Sequence, residues 1–115
     1  MKIIIAGSRT ITNYQVVVTA IEKSGWLPEM TMIISGCARG VDQLALKFAA
    51  KHNINTAEFP AEWDKHGKPA GYIRNVQMAK SGDALIAIQR NNSRGTAHMI
   101  KTMKKHEKPI YIYKL

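Results

Sequence analysis

Apolar side chains along this chain fall into five short runs, separated by four segments of helical period. The runs lie at 2–6, 31–34, 55–59, 84–88 and 109–113. Three of them, Ile3–Ala6, Met32–Ile34 and Ala84–Ile88, are continuously apolar instead of alternating, as a strand buried on both faces requires. Helices are predicted at 13–24, 40–52, 70–80 and 95–106. In the second of these, Val41, Leu44, Ala45, Phe48 and Ala49 recur at helical spacing and form one apolar face. Gly25 reads as a helix stop, and Pro28 and Pro109 punctuate the returns from helix to strand. Regular alternation of buried strands and helices predicts an α/β chain: one Rossmann-like domain over 1–115, with an approximately five-stranded, mainly parallel sheet and helices on both faces. The stretch Pro60–Pro69 is the longest irregular one and is expected to act as a lid.

Composition narrows the picture. A length of 115 residues supports one core with little room for a second. No apolar run is long enough to span a membrane, and the start lacks the plan of a secretory leader, so a cytoplasmic protein is expected. Cys37 is the only cysteine, which excludes an internal disulfide and agrees with that compartment. Nothing is spaced as a metal shell, and neither a metal nor an organic cofactor is expected. The formal net charge of +9 favours anionic partners by long-range attraction without specifying the anion.

The arginines specify more than the total charge does. Arg9, Arg39, Arg90 and Arg94 each follow a predicted strand, and Arg74 lies beyond the strand that ends near Phe59, whereas the twelve lysines fall mostly in predicted helices. A guanidinium is a planar fork matched to phosphate or carboxylate, while an ammonium is a mobile point charge. In an open parallel sheet the ligand binds outside the carboxyl ends of the strands. Three loops are predicted at that edge. Gly7, Ser8, Arg9 and Thr10 leave the first strand. Ser35–Asp42, with Gly36, Ala38, Arg39 and Gly40, leaves the second and opens a helix. Asn91–Thr96, with Ser93, Arg94, Gly95 and Thr96, does the same after the fourth. Glycines allow backbone N–H groups close to a ligand, and a helix N-terminus adds partial positive charge. Two such loops suit a diphosphate or a nucleotide with two anionic ends. Neither matches a Walker loop or a G-x-G-x-x-G fingerprint.

Individual side chains admit two readings each. Asp42 either serves its helix N-terminus or contacts a ribose hydroxyl. Trp63 caps a core edge or stacks on a base, and Asn75 caps a helix or reads a base edge. His98 is a surface histidine or a general acid. Met99, Ile100 and Met103 read as core, and Cys37 as a small packed residue. Lys101, Lys104, Lys105 and Lys108 fall at helical spacing on one face. That stripe reads as a solvated face or a polyanion contact. It lacks interleaved aromatics and arginines, which weakens nucleic-acid readout.

The motifs together carry a family resemblance. Ala6–Arg9 reads A-G-S-R, Ser35–Asp42 reads S-G-C-A-R-G-V-D, and Phe59–Trp63 reads F-P-A-E-W. Gly67–Asn75 reads G-K-P-A-G-Y-I-R-N, Asp83–Ile88 reads D-A-L-I-A-I, and Gly95–Ile100 reads G-T-A-H-M-I. With this order and spacing the chain resembles the SLOG superfamily of Rossmann-like domains, which joins the DNA-processing protein DprA (SMF) and the LOG cytokinin-activating enzymes. It is most similar to the small YspA-type branch of bacteria and phages. The resemblance implies a nucleotide or nucleotide-derived ligand at the carboxyl edge and a homo-oligomer, at least a dimer. LOG enzymes hydrolyse the N-glycosidic bond of nucleoside monophosphates with an arginine and a glutamate that closes a P-G-G-x-G-T-x-x-E motif. Arg74 matches the arginine, but the glutamate position falls at Met99, and Asn91, Asn92 and Ser93 replace P-G-G. A thioether cannot act as a carboxylate. Phosphate binding through Gly95 and Thr96 carries over; LOG-type hydrolysis does not, unless His98, Asp42 or Glu62 substitutes.

The expected function is therefore a module that binds a nucleotide or ADP-ribose-like ligand, for sensing or sequestration. The alternatives are an altered nucleoside-monophosphate phosphoribohydrolase and DprA-like single-stranded DNA binding. Arg39 and Arg74 are both expected to grip ligand anions, with little effect on folding when either is removed.

Overall fold

The computed structural model describes residues 1–91 and 93–115. Five parallel strands form one sheet: β1 (Lys2–Gly7), β2 (Met32–Ser35), β3 (Asn55–Glu58), β4 (Ala84–Gln89) and β5 (Ile110–Lys114). The spatial order is β3-β2-β1-β4-β5, with Ile4 beside both Ile34 and Leu85. The helices are α1 (Tyr14–Ser24), α2 (Val41–Lys51), the single turn α3 (Trp63–His66), α4 (Ala70–Ser81) and α5 (Arg94–Lys105). Pro28 lies in a 3₁₀ turn at Leu27–Glu29.

Continuous apolar strands are explained by two separate cores. Ile3, Ile5, Ile33, Ile86 and Ile88 point to one face, where Val17 and Ile21 of α1 and Val41, Ala45 and Phe48 of α2 cover them. Ile4, Ala6, Ile34, Leu85 and Ala87 point to the other, against Met78 of α4 and Met99, Ile100 and Met103 of α5. Neighbouring residues on a strand face opposite ways, so a central strand here has no polar position to spare. At roughly 1.5–3 kcal/mol for each large apolar side chain buried, these two layers dominate the stabilisation. The edge strand β3 is largely exposed, whereas β5 is half-buried, with Ile110, Tyr111 and Tyr113 packed against the cores.

Local signals set the ends of α1. Asn13 Oδ1 accepts from Gln15 N at 2.9 Å, a cap that contributes about 1 kcal/mol. Gly25 closes the helix in the left-handed region at φ 75°. Two details depart from the sequence expectations. The segment Pro60–Pro69 is not wholly irregular, since α3 occupies its middle. Lys108 does not continue the stripe of Lys101, Lys104 and Lys105, because α5 has ended. Its ammonium turns to the end of α4 and donates to Ala79 O at 2.6 Å and Gly82 O at 2.7 Å. The exposed carbonyls of a helix terminus attract a cation.

Candidate anion-binding site at the carboxyl edge

The chain runs outward from β1 to β3 and then returns to place β4 beside β1. Strand order reverses between those two, so the loops after β1 and β4 must part. Helices α2 and α5 both begin at this edge, and neither has a side-chain hydrogen bond at its N-cap. A cleft of about 440 Å³ opens there, and a smaller one of about 270 Å³ adjoins it, the two sharing Arg9, Ala38 and Arg74.

The Ser35–Asp42 loop builds one wall of the main cleft. Ser35 Oγ donates to Asp42 O at 3.0 Å and accepts from Cys37 N at 3.2 Å. Ala38 N donates to Asp42 Oδ2 at 3.1 Å, and Gln43 Nε2 to Cys37 O at 2.9 Å. Gly40 sits at φ 74°, and a Cβ there would stand 2.5 Å from Ser8 O. A side chain at that position would force apart the loops that follow β1 and β2. Asp42 occupies the first turn of α2, yet its carboxylate folds back to clamp the preceding loop. It is 6% exposed. Burial pushes its carboxyl up to about 6, opposed by the Ala38 N–H and by the charges of Arg74 and Arg9.

Arg74 departs from the expectation of an arginine reserved for ligand. Only 9% exposed, it donates from Nη1 to Gly36 O and from Nε to Asn75 Oδ1 at 3.0 Å, with Phe59 O at 3.5 Å from Nη1. A Cβ on Gly36 would collide with that guanidinium, 2.5 Å from Nη1. Burial lowers the Arg74 pKa, and Asp42 opposes that shift. Arg74 therefore braces the loop after β2 while still facing both clefts.

Asn75 extends the brace across the site. Its Nδ2 reaches Gly95 O at 3.3 Å and His98 Nδ1 at 3.1 Å. Donation to His98 Nδ1 requires a lone pair there, hence a neutral ring protonated on Nε2. Burial and then Lys101 lower the His98 pKa, in the same sense. The His98 ring stacks on Tyr72, with centroids 4.2 Å apart. In the loop before α5, Ser93 Oγ and Thr96 Oγ1 lie 3.0 Å apart, while Arg94 and Gly95 are exposed.

Eleven of the expected site residues line the main cleft. They are Gly7, Ser8, Arg9, Ala38 and Asp42 on one side, Arg74 and Asn75 on α4, and Ser93, Arg94, Gly95 and Thr96 at α5. Gly36, Arg39 and Trp63 line the side cleft. Ser35 and Gly40 line neither and act as frame. His98 and Glu62 are in neither lining, so of the proposed substitutes for the missing glutamate only Asp42 enters a cleft. Met99, fully buried, forms apolar floor together with Met78. Cys37 lines the side cleft at φ 64°. Its thiol pKa is raised by burial and then by Glu58, so it remains a protonated thiol at neutral pH. Asn92, part of the expected loop after β4, lies outside the described residues. Thr10, Arg90 and Asn91, which lie in or beside the predicted edge loops, also face the main cleft. Arg90 carried a signal, since it directly follows a buried strand. Met78 carried another, because Arg74, Asn75 and Met78 share one face of α4.

An open parallel sheet with this strand order defines a Rossmann-like α/β domain, here with an arginine-rich crevice at its switch point. Residues 1–66 match the model of the YspA, cpYpsA-related SLOG family. That is more than half of the 115 residues, and the chain belongs to this family. The Gene 61 protein of Mycobacterium phage D29 is 29% identical over 116 residues, covering 95% of this chain and 93% of that protein. Among solved structures, DNA processing protein A (DprA) from Streptococcus pneumoniae superposes with a TM-score of 0.78 at 17% identity, over 96% of this chain and 49% of that one. DprA from Helicobacter pylori, a protein that binds single-stranded DNA, superposes at 0.72 with 21% identity, over 97% of this chain and 64% of that one. The chain thus spans about half to two-thirds of the length of these DprA chains, and the likeness shows a shared fold. No helix among the described residues is long and apolar enough to cross a membrane.

Proposed function

We propose that this domain binds a nucleotide or a nucleotide-derived diphosphate, of the ADP-ribose type, across the carboxyl edge of its sheet. One observation carries the reading: all five arginines line two adjoining clefts, beside the starts of α2 and α5. Helix N-termini and guanidinium forks both favour phosphate oxygens. Asp42 is the one carboxylate in either lining among the described residues, and it suits a ribose hydroxyl better than a phosphate. Such a module would sense or sequester a nucleotide signal in the cytoplasm, with a second copy able to complete the site in a homodimer. Molecules released by heat from the purified protein and identified by mass spectrometry would name the ligand. Calorimetric titration with nucleotides and linear and cyclic ADP-ribose derivatives would measure it. Silence in both experiments would sink the reading.

A second reading, single-stranded nucleic-acid binding, draws on Trp63 and Tyr72. They are 50% and 46% exposed; Trp63 lines the side cleft with Arg9, Arg39 and Arg74, and an aromatic beside cations forms a base-stacking platform. It requires affinity that falls steeply with salt, and a flat salt response would dismiss it. Hydrolysis of an N-glycosidic bond is disfavoured by the thioether of Met99 in the floor. Free base released from nucleoside monophosphates would restore it.

A further inference from the structure

Resting on the nucleotide reading above, we infer the direction in which the ligand lies: its base occupies the side cleft against Trp63, and its phosphates occupy the main cleft. The side cleft, at about 270 Å³, falls below the roughly 300–1,000 Å³ of sites that hold whole ligands. It is sized for part of one. Its walls differ from those of the main cleft. Pro60 and Ala61 supply apolar surface, and Trp63 presents an indole that is half exposed. The far edge of that indole rests on the first turn of α4, where Cη2 lies 3.5 Å from the position a Cβ would take on Gly71. The ring is thus held from one side by a helix while its remaining surface meets water. An exposed, anchored aromatic of this size is costly to leave uncovered.

Charge divides the same way. Arg90 and Arg94 line only the main cleft, together with the start of α5. Arg39 lines only the side cleft, where its planar group can cover a base that Trp63 supports. Arg9 lines both and is exposed, which places a flexible cation where sugar joins phosphate. A nucleoside diphosphate laid in this direction meets an aromatic wall at one end and backbone N–H groups at the other. Laid in reverse, its phosphates would share the side cleft with an indole, Pro60 and Ala61, and its base would meet the polar start of α5.

Tryptophan fluorescence reads the direction directly. The probes are inorganic pyrophosphate, each of the four common nucleoside diphosphates and a short oligothymidylate. They are added to the Trp26→Phe protein, so that Trp63 is the only indole. Binding is followed in parallel by calorimetry. The nucleoside diphosphates should quench Trp63 while pyrophosphate binds without quenching. Trp63→Leu should weaken nucleoside diphosphates about 5- to 150-fold, the range that loss of one base–aromatic stack implies. It should leave pyrophosphate affinity unchanged, and Trp63→Phe should recover most of the loss. Circular dichroism checks that each variant is folded. Equal calorimetric affinity for nucleoside diphosphates in Trp63→Leu and the parent would overturn the direction and leave the proposed function standing. Quenching by the oligonucleotide but by no nucleoside diphosphate would overturn it in favour of a strand of nucleic acid. Absence of binding by every diphosphate would overturn both readings together.

Discussion

Ser35–Asp42 and Ser93–Thr96 both leave a central strand and open a helix, but they are held in different ways. In the first, Ser35, Ala38, Asp42 and Gln43 bond the loop to itself, and Arg74 reaches in from α4 to the carbonyl of Gly36. In the second, Ser93 meets Thr96 and Asn75 touches Gly95 O. A Cβ added to Gly36 would strike Arg74 and Asp42, whereas one added to Gly95 would meet nothing within 4 Å. The first loop is a preformed frame whose polar groups are largely satisfied. The second keeps its arginine, glycine and helix start open to a ligand. An anion site needs both, since an open loop without a rigid opposite wall would bind at the expense of ordering itself.

The sharpest way to break this contrast is a matched pair of glycine substitutions. Gly40→Ala combines a left-handed backbone with a clash against Ser8 O and should destabilise by about 2–4 kcal/mol. Gly95→Ala should leave stability within about 0.5 kcal/mol while weakening pyrophosphate binding. Urea denaturation midpoints and calorimetry decide it. Equal losses of stability in the two variants would mean that the second loop is as framed as the first.

Next in size is a pair of arginines. Arg74→Ala removes the brace, orphans the carbonyl of Gly36 and takes from Asp42 one of its two nearby cations, which should cost about 2–3 kcal/mol of stability. Arg39, exposed in the side cleft, should unfold at the parent temperature when changed to Ala and lose about 1–2 kcal/mol of ligand affinity instead. Arg39→Lys should recover only part, because charge remains while the planar guanidinium is lost. Thermal melts that fall together for Arg39→Ala and Arg74→Ala would erase the distinction between brace and ligand contact.

The frame should also carry a pH signature. Asp42 is raised from 3.8 to about 6, so between those values the folded protein holds a proton that the unfolded chain has lost. The contribution of this group to stability is therefore fully present below pH 3.8 and is lost as pH rises through about 6. Asp42→Asn should flatten that part of the stability profile and gain about 1–2 kcal/mol at pH 7. A slope between pH 4 and 6 that survives in Asp42→Asn would assign it to another group.

The smallest effects lie away from both loops. Lys108→Ala should cost about 1 kcal/mol through the lost cap on α4. Lys104→Ala and Lys105→Ala should change stability and affinity by no more than a few tenths of a kcal/mol. Comparable melting points for all three would show that the contacts of Lys108 to Ala79 and Gly82 carry no weight.

By itself the sequence determined the strands, the four longer helices and the sheet edge on which the arginines converge. Buried parallel strands demand unbroken apolar runs, and amphipathic helices demand a 3.6 period, so both are written locally. The convergence of Arg9, Arg39, Arg90 and Arg94 was legible for the same reason, since each follows a strand in the chain and parallel strands end on one side. Tertiary structure alone decided the division of labour among these residues. That Arg74 is spent on Gly36 and Asn75, that Asp42 folds back on Ala38, and that His98 turns to Tyr72 and away from the cleft depend on partners up to 38 positions distant. A side chain's type states which bonds it can make. Which bonds it does make is settled by what the packed sheet and helices bring within 3 Å of it.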